Sequence, residues 1–281
     1  MRLSKGLLTA MFLLGMGIVL YPVLSNYYNS FHATKAIIEY SEAVSGLEEA
    51  ELEEIRQSAE EYNSRLASAE FSSSFSEEQR ELYMRELNTE GTGLMGYIQI
   101  PKIDVYLPIY HGTEESVLQT AAGHVEWSSL PVGGESSHCV ISGHRGLPSA
   151  KLFTDLDKLE PGDPVYLCVL GESCCYCVDE ISIILPQDIE GLKISENEDL
   201  LSLVTCTPYG INTHRLVVRA KRCASPEDIT ELAISPGAQR IRPTVTALFI
   251  MLPVLGALLA AVNLKDRIDR KRIKKELQKE Y

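Results

Sequence analysis

Apolar residues follow three different patterns along this chain. Two runs of nineteen residues, Gly6–Leu24 and Thr244–Val262, carry no charge at all. As helices, each is long enough to cross the hydrocarbon core of a bilayer. Residues 29–70 are rich in Glu, Ala and Leu, and Ile37, Val44, Leu47, Ile55, Ala59, Tyr62 and Leu66 recur near helical spacing. That spacing predicts one or two helices broken at Gly46, with the Glu-rich stretch 48–61 as a solvated face. A Ser-rich joint, Phe71 to Phe75, leads to a short helical stretch, Glu77–Leu87, and a turn at Gly91-Thr92-Gly93.

From Met95 the pattern shortens. Tyr97–Ile100, Val105–Tyr110, Cys139–Ser142, Pro164–Leu170, Tyr176–Ile184, Leu200–Cys206 and Leu216–Lys221 are β-rich pieces separated by Pro and Gly. Seven or eight such strands predict a closed barrel, and Ser116–Ala122 and Leu152–Leu159 add one or two helical turns. The expected class is mainly β, with a helical segment ahead of the barrel as an appendage. The expected division is 1–5 N-terminus, 6–24 span, 25–94 helical segment, 95–223 barrel, 224–243 linker, 244–262 second span and 263–281 tail.

Charge orients these pieces. Residues 1–5 hold two basic residues and no acid, and residues 265–281 hold eight basic residues against four acids. Setting those +2 and +4 apart from the −13 of the whole chain leaves −19 on the segment between. Basic flanks stay on the cytoplasmic side, so both termini are expected there, with the barrel outside and a lipid membrane as partner. The first span could also be a cleaved signal peptide, but no small-residue cleavage site follows Leu24. So acidic a surface repels phosphate and argues against nucleic acid.

Seven cysteines form no even framework. In a strand, Cys175 and Cys177 share one face and Cys174 takes the other. The plainest reading of these three is small buried apolar side chains, ahead of a disulfide and then of a metal cluster.

The chemistry concentrates in Thr205-Cys206-Thr207-Pro208-Tyr209-Gly210-Ile211-Asn212-Thr213-His214-Arg215. Apolar runs on either side and turn residues within make it a strand, loop, strand hairpin. If Cys206 and Arg215 face each other across its mouth, a guanidinium lies beside a thiol and favours the nucleophilic thiolate. The histidine partner is left open by spacing among His111, His124, His138, His144 and His214. His144 is favoured, because it follows a strand in the loop Ser142-Gly143-His144-Arg145-Gly146. No metal or cofactor is called for.

Those two segments resemble the class C sortases, the pilin polymerases of Gram-positive bacteria. The resemblance continues through Gly96 to Ile103, Ser129 to Gly134 and Leu152 to Leu156, and covers residues 94–222. It implies an eight-stranded sortase barrel with His144, Cys206 and Arg215 as the catalytic set. It also implies transpeptidation. The thiolate cleaves an LPXTG-type sorting signal of a pilin subunit after Thr, and a lysine amine of the next pilin resolves the thioacyl enzyme. Thr205, directly before the cysteine, is a candidate substrate-binding position. Class C sortases usually carry an Asp-Pro-aromatic lid ahead of the barrel, and no Asp-Pro pair occurs between residues 25 and 95. Glu70-Phe71 is the expected substitute. The competing functions are a sortase attaching single proteins to a cell-wall amine, a hydrolytic cysteine protease, and a membrane-tethered binding module without activity.

Overall fold

A computed structural model describes residues 5–224, together with Gly256 and Ile268. The expected linker, second span and basic tail lie outside the described residues apart from those isolated positions.

Helix α1 runs unbroken from Lys5 to Ser45 and contains Pro22. It is the one helix among the described residues long and apolar enough to cross a membrane. Leu14, Ile18 and Val19 are largely exposed on it, an arrangement that water would penalise and lipid would not. Past the apolar run the same helix changes role. Ala33, Ile37, Tyr40 and Val44 are buried at helical spacing, and Tyr40 and Val44 pack with Leu94, Tyr97 and Tyr110 of the barrel. The Tyr40 hydroxyl donates to the Met95 carbonyl at 3.0 Å and accepts from the Leu170 amide at 2.9 Å. Lower on the helix, the Asn29 amide donates to the Ser149 carbonyl, and Asn26 Oδ1 accepts from the Lys151 amide.

Gly46 ends α1, and α2, Glu49–Ser68, follows after a capping box built from Glu48 and Glu51. It buries Ala59 and Asn63. Asn63 meets one backbone residue at both ends of its amide: Oδ1 accepts from the Leu130 N–H at 2.7 Å and Nδ2 donates to the Leu130 carbonyl at 3.1 Å. Helix α3, Glu77–Arg85, starts at the Ser76 cap and buries Tyr83. Residues 25–94 are thus docked on the barrel through buried side chains rather than hung from it.

Eight strands close the barrel: β1 Leu94–Ile100, β2 Val105–His111, β3 Ala122–His124, β4 Ser137–Ser142, β5 Pro164–Val169, β6 Glu172–Ile184, β7 Asp199–Thr207 and β8 His214–Arg222. Their order is β1-β2-β3-β4-β7-β8-β6-β5, with β5 returning to β1. The pairs β2·β3 and β4·β7 are parallel and the others antiparallel. Alternate strand residues fill the interior, among them Ile98, Ile100, Ile141, Leu167, Leu201, Leu203 and Val218, joined by Phe153 from the loop after β4.

Two local expectations change. Ser116–Ala122 is helical only over α4, Glu115–Leu118, and Ala122 already belongs to β3. Three residues are too few for an alternating pattern to register. Leu152–Leu159 condenses to a 3₁₀ turn, Leu156–Lys158. Of the cysteine cluster, Cys174 and Cys175 are free thiols, but Cys177 is joined to Cys223 in a disulfide. The antiparallel pairing of β6 with β8 brings Cys223 to it across 46 residues, a contact that no local spacing announces.

Candidate active site

Strands β7 and β8 form the expected hairpin, each longer than its apolar run. Cys206 and Arg215 are cross-strand partners, one step from the Thr207–His214 pair that closes the ladder. The loop above them has the turn chemistry its sequence implies. The Thr207–Pro208 peptide is cis, Gly210 and Asn212 have φ of 74° and 61°, and the Pro208 carbonyl accepts from the amides of Ile211 and Asn212. Cys206 is a half-buried free thiol. The Arg215 guanidinium folds toward its own loop, donating from Nη1 to the carbonyls of His214 and Asn212 at 3.1 and 3.3 Å. Among the described residues it has no carboxylate partner.

The end of β4 is fastened to β7 next to this pair. Ser142 is the register partner of Val204, and the chain runs on from that last pair toward the level of Cys206, with His144 two residues past it. Two hydrogen bonds hold the continuation: Gly143 N–H donates to the Val204 carbonyl at 3.1 Å, and Thr205 Oγ1 donates to the Gly143 carbonyl at 2.7 Å. Gly143 is required there, since a Cβ would come within 2.6 Å of the Phe153 ring. Thr205 is buried, and its hydroxyl is engaged with the backbone of the His144 loop.

Burial separates the histidines that spacing could not. His111 holds the carbonyls of Gly93 and Glu86, His124 lies between the Tyr83 hydroxyl and the Ser129 carbonyl, and His138 lies between the Lys193 carbonyl and Ser202 Oγ. All three are buried, and burial lowers the pKa of each, that of His124 to about 4. His214 is tied to its neighbour Thr213. His144 is partly exposed, with Nε2 at 3.2 Å from Glu115 Oε2 of α4. Nothing in the sequence marked Glu115, which enters only because α4 folds back over the β4 loop.

Val204 and Val217 lie two residues from Cys206 and Arg215 on the same faces of their strands. With Val140 and Leu192 they form an apolar strip bordered by Val125, Trp127, Ile184 and Ile189. The Phe71 ring sits edge-on to Trp127, centroids 5.7 Å apart, and Lys193 Nζ lies 4.9 Å above it. The segment between α2 and α3 therefore reaches the far border of this strip. Among the described residues, no contact joins Glu70 or Phe71 to Cys206 or Arg215.

Residues 98–223 match the model of the Sortase domain. Among proteins, the chain is 29% identical over 157 residues to Sortase A of Streptococcus agalactiae and 30% identical over 130 residues to Sortase D of Bacillus subtilis. These matches cover 55% and 45% of the chain, and the chain spans 63% of the length of each of those curated relatives. Solved structures align over more of it. Sortase C1 of Streptococcus agalactiae is 46% identical with a TM-score of 0.67, covering 68% of this chain and 100% of that one. Sortase C of Streptococcus pneumoniae is 44% identical with a TM-score of 0.60, covering 68% and 97%. Sortase C of Clostridium perfringens, solved with the C-terminal cell wall sorting motif, is 40% identical with a TM-score of 0.60, covering 69% and 100%. With an eight-stranded barrel of this order and such identity across whole solved domains, the chain belongs to the sortase family.

Proposed function

We propose that this protein is a membrane-anchored cysteine transpeptidase of class C type, joining pilin subunits through their sorting signals. The observation that carries the reading is the Cys206–Arg215 cross-strand pair beside the fastened end of β4 that bears His144. Cys206 Sγ attacks the carbonyl carbon of Thr in an LPXTG-type signal. Arg215 supplies the donors that hold the oxygen as it gains charge. His144, as imidazolium, protonates the departing amine, and the acyl group remains on Cys206 as a thioester. A lysine amine of a second pilin attacks that thioester, forms the new amide and releases the thiolate. The partly exposed Val125, Trp127, Ile184 and Ile189, which pack around the buried Val140, Val204 and Val217, suit the apolar residues of the signal. Two similar structures support the choice of substrate, the Streptococcus pneumoniae sortase C described for its pilin substrate specificity and the Clostridium perfringens sortase C solved with a cell wall sorting motif.

The membrane expectation rests on α1 as candidate span, together with the charge asymmetry of the two ends. The acceptor is tested by supplying a signal peptide with a pilin lysine peptide, a cell-wall amine or water alone, and identifying products by mass. The expected product is the pilin amide. Preference for the cell-wall amine points to a sortase attaching single proteins, and hydrolysis unaffected by amines points to a protease. Cys206→Ala that still forms pilus polymer in cells rules out the enzymatic reading.

A further inference from the structure

Three sulfurs gather where β6 begins and β8 ends. Cys177 and Cys223 are joined with their Cα atoms 5.8 Å apart, and the free thiol of Cys175 lies with Sγ 3.5 Å from Cys223 Sγ. The register gives this arrangement its meaning. Tyr176 pairs with Arg222 and Cys177 with Lys221, so the residue directly opposite Cys223 is Cys175, and Cys223 N–H donates to the Cys175 carbonyl at 3.0 Å. The disulfide therefore runs to the diagonal neighbour while the direct neighbour remains reduced. Directly opposed residues in such a hydrogen-bonded pair lie about 5.5 Å apart at Cα, inside the range a disulfide accepts. Cys223 can thus bond either partner without moving the sheet.

We propose that Cys175, Cys177 and Cys223 form a thiol–disulfide exchange site in which Cys223 alternates between Cys177 and Cys175. Cys175 Sγ, as thiolate, attacks Cys223 Sγ. The Cys175–Cys223 bond forms, the Cys177–Cys223 bond breaks, and its electron pair leaves on Cys177, which takes the proton that Cys175 lost. One disulfide and one thiol stand on each side of the step, so it needs no external oxidant or reductant. Its effect is to carry a free thiol from a buried position to a half-exposed one, since Cys175 is buried and Cys177 is not. Burial pushes the Cys175 thiol above its ordinary range, against the pull of the Tyr166 hydroxyl and then of Arg222, which makes the exchange slow at neutral pH. The site is separate from the one above, because Cys223 follows Arg215 by eight residue steps along and just past β8, roughly 26 Å.

Two measurements test it on the full-length protein. Wild-type protein is held at pH 8, sampled over hours, denatured at pH 5 with N-ethylmaleimide, and mapped without reduction by fragment-ion mass spectrometry. The expected result is label at both Cys175 and Cys177, with complementary disulfides to Cys223. Label at Cys175 alone at every time overturns the exchange. Separately, Cys177→Ser is reduced and reoxidised with oxidised glutathione, and a Cys175–Cys223 disulfide is expected. If Cys175 and Cys223 both remain free or carry glutathione instead, the proposal fails. Should that variant not fold, the wild-type map decides by itself.

Discussion

His144 presents Nε2 to Glu115 Oε2 at 3.2 Å, across the gap between the β4 loop and α4. The contact lowers the pKa of the Glu115 carboxyl, second to its bond with Gln119, and keeps it a carboxylate that can orient the imidazole. Glu115 is largely exposed, so the pair is a modest one. Glu115→Gln is expected to reduce kcat/KM by about two- to fivefold, against a loss of roughly a hundredfold or more for His144→Ala. Steady-state rates on a sorting-signal peptide at two ionic strengths check this. The deficit of Glu115→Gln should shrink as salt screens the wild-type pair.

Arg215→Lys retains charge and loses the planar fork of donors. In Arg215, Nη1 alone donates to the loop carbonyls of Asn212 and His214, which leaves the other N–H groups of the fork to a substrate oxygen, whereas an ammonium has one nitrogen for both tasks. Rates are expected to fall about a hundredfold or more. Thermal stability should be nearly unchanged, and an equal loss of both would show that Arg215 acts on the fold alone.

Phe71 meets the apolar strip at Trp127. If that segment hinders approach to Cys206, deleting residues 71–75 raises the rate at which a thiol reagent labels Cys206, and Trp127→Ala moves it in the same direction. Labelling at the wild-type rate in both variants removes the segment from any covering role.

Asn63 pairs with both polar groups of Leu130 in a buried setting. Asn63→Leu keeps the volume approximately and leaves an amide and a carbonyl unsatisfied, which costs about 2–4 kcal/mol. Urea unfolding should show that loss, and undocking of α2 would appear as faster hydrogen exchange in residues 49–68.

Burial holds the pKa of His124 at about 4, below the ordinary 6.5. Between those values the unfolded chain takes up a proton there that the folded one refuses. Stability is therefore complete above about pH 6.5 and declines as pH falls toward 4, by up to about 3 kcal/mol from this group. His111 and His138 are shifted the same way. Melting temperatures measured from pH 7.5 to 4.5 should fall, and less steeply in a His124→Gln variant.

What the sequence revealed depended on whether a signal was local. Seven strands were legible from short apolar runs such as Leu200 to Val204, and Gly46 was legible as a break. β3 was not, because Ala122–His124 owes its strand geometry to the neighbours β2 and β4. The Cys206 loop showed itself because its turn residues lie within it. The docking polar groups did not: Tyr40, Asn63 and Tyr83 bond partners 29 to 130 residues away, and an isolated Tyr or Asn in a helix gives no hint of that. The five histidines could be separated only after burial was known. Cys223 likewise gained its role from a register that a residue-by-residue reading does not contain.

The bonds from Asn26 and Asn29 to the backbone of Ser149 and Lys151 set a height. The apolar run ends at Leu24, and Asn26 is about 3 Å farther along the helix axis. With that run in a bilayer, the protein has no stalk, and the loop that starts at His144 rests at the level of the lipid headgroups.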